Sequence, residues 1–264
     1  MEKIVLFEKG SLCYAIEGQG SAVVLLHGFL EDHHIWDSFA EKLSKNHTVI
    51  SIDLPGFGQS SVFNETHSMT FMANAVYYVL IEENISNCVM VGHSMGGYVT
   101  LAFADLYPDK LTGIVLFHSQ AGSDNEEGKL NRDRTIKIIK SDRLGFINSF
   151  IPSLFAEKNK NKYEDEINLL RKKANNISPD GVIAALAGMR DRNDQSELLK
   201  KIEIPVLFII GKQDSRIPLE VIIPQLSLAA NCEAVILDGV GHMGFFESND
   251  LTFKAVEHFV ERNA

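Results

Sequence analysis

Short apolar runs of strand length alternate with helix-patterned segments through most of this chain, and few architectures satisfy that order. A strand that is apolar on both faces must be covered on both faces, which calls for a largely parallel sheet between layers of helices. Ala22 to Leu26 is such a run, ending at His27-Gly28, and Ile4 to Phe7 and Leu12 to Ile16 precede it as opening strands joined through Gly10. Val49 to Ile52, Val89 to Val91, Ile114 to Phe117, Pro205 to Ile210 and Ala234 to Leu237 continue the series. Helices are predicted between them over Trp36 to Leu43, about Thr70 to Glu83, Tyr98 to Leu106, Leu219 to Leu228 and Leu251 to Arg262.

The alternation breaks once. From Ser119 to about Lys201 the strand-like runs vanish, charge becomes dense at Glu126-Glu127, Arg132 to Arg134, Lys158 to Lys162 and Arg171 to Lys173, and apolar residues fall at helical intervals. Residues 119–201 therefore read as a helical lid inserted into a core made of residues 1–118 and 202–264.

With 264 residues, 45% of them hydrophobic and 23% charged, the chain has the composition of one large folded domain. Its net charge of -10 argues against nucleic acid as a partner, since phosphate binding needs clustered Lys and Arg. A small molecule suits it better. Cys13, Cys88 and Cys232 lie far apart without metal or redox spacing and read as buried free thiols. Met1 to Gly10 carries no secretory signal pattern and no apolar run reaches membrane-span length, so a cytoplasmic protein without a membrane partner is expected.

The chemistry is concentrated after the strands. Gly92-His93-Ser94-Met95-Gly96 places a serine on a sharp turn between a strand and a helix, with glycines where a side chain would crowd the turn. The bare pattern carries little, but here strand-like residues precede it and helix-like residues follow. A serine capping that helix is the plain alternative. As a nucleophile, Ser94 needs a histidine to accept its proton and a carboxylate to orient that histidine.

His242, in Gly239-Val240-Gly241-His242 after the last strand, is the best-placed base, and His118 at the end of the strand before the lid is its rival. His93 should turn away from Ser94, His27 suits holding loop backbone, and His33, His34, His47, His67 and His258 read as exposed. Asp214, just beyond Val206 to Ile210, occupies a loop at the carboxyl end of a strand, where open α/β sheets form their sites. Asp124 is the alternative acid. Acyl transfer also needs backbone N–H groups aimed at the developing oxyanion, and Met95 and Phe29 are the candidates for that oxyanion hole.

These motifs together resemble the α/β-hydrolase superfamily: His27-Gly28-Phe29, Asp53-Leu54-Pro55-Gly56-Phe57-Gly58-Gln59-Ser60, Gly92-His93-Ser94-Met95-Gly96-Gly97, Gly211-Lys212-Gln213-Asp214 and Gly241-His242. The resemblance spans nearly all of the chain except the lid, and implies the catalytic triad Ser94, Asp214 and His242 with Phe29 and Met95 as oxyanion donors. Gly56-Phe57-Gly58 alone would suggest a dinucleotide, but Ser61 stands where that motif needs its last glycine.

Dehalogenases and epoxide hydrolases of the superfamily carry aspartate where this chain has Ser94. The menaquinone-pathway synthase branch, similar in its front half, has an arginine after its glycine pair, whereas Tyr98 follows Gly97 here. Meta-cleavage C–C hydrolases carry a longer glycine-rich oxyanion loop than His27 to Asp32. Leu186 to Asp194 is similar to small bacterial serine carboxylesterases, which implies hydrolysis of a small, largely apolar carboxylic ester without metal or organic cofactor. Leu30, Phe146, Phe150, Leu154, Phe155, Met189 and Met243 are the expected lining of an apolar acyl pocket. C–C hydrolysis, thioester hydrolysis, lyase chemistry or perhydrolysis by the same triad, and a non-catalytic ligand-binding protein, are the competing readings.

Overall fold

The computed structural model describes the whole chain, Met1–Ala264. Eight strands form one sheet: β1 (Glu2–Phe7), β2 (Gly10–Glu17), β3 (Ala22–Leu26), β4 (Thr48–Ile52), β5 (Cys88–His93), β6 (Leu111–Phe117), β7 (Val206–Gly211) and β8 (Cys232–Leu237). Their spatial order is β1-β2-β4-β3-β5-β6-β7-β8. The hairpin β1-β2 and the β2-β4 pair are antiparallel, and every other pair is parallel. This is the largely parallel sheet expected from the alternation, in the arrangement that the resemblance to α/β-hydrolases implies.

Every residue of β3, β5 and β7 is buried, as continuous apolar runs require when helices cover both faces. Each such Val, Leu, Ile or Phe contributes roughly 1.5–3 kcal/mol by leaving water. The register carries function. Leu26 pairs with Ile52 and Gly92, His93 with Phe117, and Gly211 with Leu237. Parallel strands thus end side by side, and the loops that follow them gather along one edge.

The helices are α1 (Asp37–Leu43), α2 (Met69–Glu82), α3 (Met95–Leu106), α4 (Glu126–Phe150), α5 (Glu164–Asn176), α6 (Pro179–Arg190), α7 (Ser196–Lys201), α8 (Leu219–Ile222), α9 (Gly244–Glu247) and α10 (Asn249–Asn263). Ser68 caps α2, its hydroxyl accepting from the Phe71 N–H at 3.1 Å. Between β6 and β7 the chain makes helices and turns but no strand, and α4 is kinked where Asp142 leaves helical geometry (φ -149°, ψ 71°). No helix is long and apolar enough to cross a membrane.

Some local expectations need correction. The segment Leu219 to Leu228 is not one helix: α8 passes into a 3-10 turn over Ile223–Ser227, where Pro224 has no N–H to continue the ladder. His33, His47 and His67 are buried rather than exposed. His33 donates from Nδ1 to Asp53 at 2.8 Å, and His67 spans from the Pro55 carbonyl (2.9 Å) to the Phe63 N–H (3.1 Å). With both ends paired, the His67 imidazole is cheap to bury, whereas His33 is held by its Nδ1 alone. Cys13 and Cys88 are buried thiols, and Cys232 is half-buried.

Candidate active site

Ser94 stands between β5 and α3 with φ 50° and ψ -112°, a conformation that costs a non-glycine residue of order 1–3 kcal/mol and is held only by its surroundings. Those surroundings exclude side chains. A Cβ on Gly92 would lie 2.4 Å from the Gly96 carbonyl oxygen, and one on Gly96 would lie 2.5 Å from that of Leu26. The Ser94 N–H donates to the Phe117 carbonyl at 2.9 Å, and the Ser119 hydroxyl donates to the Ser94 carbonyl at 2.8 Å. The turn is thereby pinned to β6, and the Ser94 side chain faces a cavity of about 270 Å³ at the carboxyl edge of the sheet.

His242 borders the same cavity. Its Nδ1 donates to Asp214 Oδ2 at 2.7 Å, which leaves Nε2 as the basic nitrogen. The other Asp214 oxygen accepts the N–H groups of Arg216 (2.8 Å) and Ile217 (3.0 Å). Burial opposes ionisation of Asp214, but His242 and His118 together hold its carboxyl far below the ordinary value. A charged carboxylate fixed beneath an imidazole is what a general base needs in order to accept a proton.

His118, the rival histidine, is placed differently. Its Nδ1 donates to the same Asp214 oxygen at 3.3 Å, its Nε2 is buried without a partner, and the ring does not reach the cavity. Burial pushes it down to about 4, so it serves Asp214 as a neutral donor. Asp124 orients no histidine, because its oxygens accept from Arg132 Nε (2.9 Å) and Arg192 Nη1 (2.7 Å). His118, Asp214 and His242 bring ligand atoms within 4.8 Å of one another, but a metal there would compete for the atoms that join His242 to Asp214.

Met95 is the first residue of α3, so its N–H has no acceptor within the helix. Phe29 lies on the cavity wall, and its N–H makes no hydrogen bond within the protein. Glu31 explains how the Phe29 loop is held. Its Oε2 accepts from the Gly28 N–H at 2.6 Å and from His93 Nδ1 at 3.0 Å, while His93 Nε2 donates to the His242 carbonyl at 3.0 Å. Burial works against the Glu31 charge, yet His93 and the Gly28 N–H keep its carboxyl below the ordinary value. His27, lowered by burial, donates to the Gly28 carbonyl at 2.7 Å and accepts from Leu54 N–H at 3.0 Å, as its place at the end of β3 suggested.

The cavity differs from the apolar acyl pocket expected. Phe146, Phe150, Leu154 and Met189 line it, but Leu30, Phe155 and Met243 do not. Leu30 is turned inward at φ 65°, Phe155 packs on Phe246, and Met243 is wholly enclosed. The rest of the wall includes Glu31, Asp124, Asn131, Arg132, Thr135, Ser215 and Arg216. Sequence reasoning missed Glu31, Arg132 and Arg216. The spacings Gly28-x-x-Glu31 and Asp214-x-Arg216 are the only traces they leave.

The α/β hydrolase fold model matches residues 21–249. The chain belongs to the α/β-hydrolase fold family. Among relatives of this hydrolase, the pimeloyl-[acyl-carrier protein] methyl ester esterase of Aliivibrio fischeri is 24% identical over 261 residues, covering 96% of this chain and 99% of its own length. A thermophilic esterase from Thermogutta terrifontis is 29% identical with a TM-score of 0.92, covering 99% of this chain and 98% of that one. An esterase from Exiguobacterium antarcticum superposes with a TM-score of 0.87 at 22% identity over 96% of each chain, a likeness of fold.

Proposed function

We propose that this α/β hydrolase cleaves carboxylic esters through an acyl-enzyme formed on Ser94. The single observation that carries the proposal is the Asp214–His242 hydrogen bond at 2.7 Å beside a cavity that Ser94 and His242 share. His242 takes the Ser94 proton as the hydroxyl oxygen attacks the ester carbonyl, and the N–H groups of Phe29 and Met95 receive the oxyanion. The tetrahedral intermediate collapses, the C–O bond to the alcohol breaks, and His242 returns the proton to the departing oxygen. Water then attacks the acyl group by the same route and releases the acid and free Ser94. The relatives named as esterases support an ester over the other substrates that such a triad serves.

Residues 119–201 act in this reading as a lid. Phe146, Phe150, Leu154 and Met189 roof the cavity and exclude water from it. The test is turnover of p-nitrophenyl acetate and short methyl esters by the wild type, Ser94→Ala and His242→Ala. Both variants are expected to lose nearly all activity while keeping their fold, and full activity in either would overturn the assignment. Running thioester and diketone substrates alongside separates ester hydrolysis from the other reactions of the triad.

A further inference from the structure

The lid turns a polar face to the reacting serine. Gly128, Asn131, Arg132 and Thr135 recur along α4 at the spacing of one helix face, and all four border the cavity. Within that face Arg132 spends only Nε on Asp124, at 2.9 Å, and its two Nη groups have no protein partner. Arg216, from the loop of Asp214, reaches the same cavity with its guanidinium 5.2 Å from the Phe150 ring centre. Its side chain bonds only to hydroxyls, those of Ser215 and Ser153, both at 3.3 Å, and forms no salt bridge.

The carboxylates near the cavity have partners, and the guanidinium groups keep free Nη atoms. Asp124 is shared between Arg132 and Arg192, Glu31 is taken by His93 and Gly28, and Asp214 is committed to two histidines and two backbone N–H groups. Arg132 and Arg192 therefore share the single carboxylate of Asp124, and Arg216 has none. Two carboxylates and two guanidinium groups stand on the cavity wall, and it is the guanidinium Nη groups that are left without a carboxylate partner where the substrate would sit. Guanidinium forks with free Nη groups match a carboxylate in charge and in geometry.

We infer that the cavity selects esters bearing a second, ionised carboxylate, half-esters of short dicarboxylic acids, with Arg132 and Arg216 receiving the free carboxylate. This rests on the ester-hydrolase reading and narrows it. The experiment compares kcat/KM for monomethyl glutarate, an anion at neutral pH, with that for neutral dimethyl glutarate. The wild type is expected to prefer the half-ester by about tenfold or more, since a hydrogen bond to a charged group is worth that much. Arg132→Gln and Arg216→Gln should each erode the preference about tenfold, chiefly through KM, with Arg216→Lys retaining part of it and added salt weakening it.

Equal or better use of the diester by the wild type would overturn the inference, as would a preference that survives both glutamine variants. Binding of glutarate to Ser94→Ala, measured by calorimetry, keeps the test independent of turnover. Binding that disappears in Ser94→Ala/Arg216→Gln supports the site, and no binding to Ser94→Ala overturns it. Hydrolysis of p-nitrophenyl acetate separates the two levels: if it proceeds without half-ester preference, only the selectivity fails. If no ester is cleaved, the proposed function fails and glutarate binding alone decides the arginine site.

Discussion

Replacing Glu31 by Gln keeps the shape of the side chain and removes a charge on which three segments depend. Glu31 and His93 side chains are 2% and 1% exposed, so their pair has almost no water to fall back on. Glu31 Oε2 holds the Gly28 N–H and His93 Nδ1, and the far side of His93 holds the His242 carbonyl. The His93 ring lies between two acceptors, Glu31 on the Nδ1 side and the His242 carbonyl on the Nε2 side. Without the Glu31 charge the Nδ1 side loses its carboxylate partner. Breaking a buried ion pair from one side costs about 3–5 kcal/mol. At roughly 2–4 °C per kcal/mol for a domain of this size, Glu31→Gln should melt about 6–20 °C below the wild type.

A double-mutant cycle with His93→Asn should return a coupling energy of about 1–3 kcal/mol, because the two groups touch. Activity should fall as well. The His242 backbone and the Phe29 loop both lose an anchor, and displacements of a fraction of an ångström at such a site cost roughly ten- to a hundredfold in kcat. The fall should appear chiefly in kcat, since Glu31 Oε2 acts through protein partners, the Gly28 N–H and His93. Melting within about 2 °C of the wild type, together with unchanged kcat, would refute the reasoning.

Asp214→Asn should leave the fold intact and lower kcat by about 10⁴, measured on p-nitrophenyl acetate, because an amide cannot hold His242 in the required tautomer or balance its charge. His118 supplies a pH dependence. Its value falls from 6.5 in the unfolded chain to about 4 in the fold, so the unfolded state binds more protons in that interval. Its contribution, about 3 kcal/mol, is complete above pH 6.5 and disappears as the pH drops toward 4. Urea unfolding of His118→Asn at pH 7 and pH 4.5 should show a smaller difference between the two than the wild type shows. Gly96→Ala should not accumulate as a soluble folded protein, since its Cβ would lie 2.5 Å from the Leu26 carbonyl oxygen.

The sheet was legible because its signal is local. Ala22 to Leu26 and Val206 to Ile210 are apolar in unbroken runs, and only a doubly covered strand accounts for that. The placing of Ser94, Asp214 and His242 was legible for a related reason: loops at the carboxyl ends of such strands collect on one edge, so residues in those loops come near one another whatever they do there. What escaped depends on which partner a polar residue finds. His33 and His67 look like solvent-facing histidines until Asp53 and the Pro55 carbonyl are placed beside them. Arg132 belongs to a dense run of charge that reads as a wet helix face. Only the packing of α4 across the sheet edge turns that face toward Ser94.

The same distinction governs His242. Its ring is held by Asp214, its N–H donates to the Leu154 carbonyl at 2.7 Å, and its carbonyl accepts from His93. Three segments far apart in the chain, the acid loop, the lid and the nucleophile strand, each hold one part of a single residue. A change in any of them reaches the imidazole without touching substrate, so in the proposed mechanism Glu31, two hydrogen bonds away through His93, is a positioning residue for His242. Close approach on the lid side sets the terms: a Cβ on Gly241 would lie 2.5 Å from the Ala156 N, so the glycine before His242 lets the lid backbone come near enough for Leu154 to accept that bond. The glycine pattern that made His242 visible in the sequence is therefore also what lets residue 242 bond to the segment between β6 and β7.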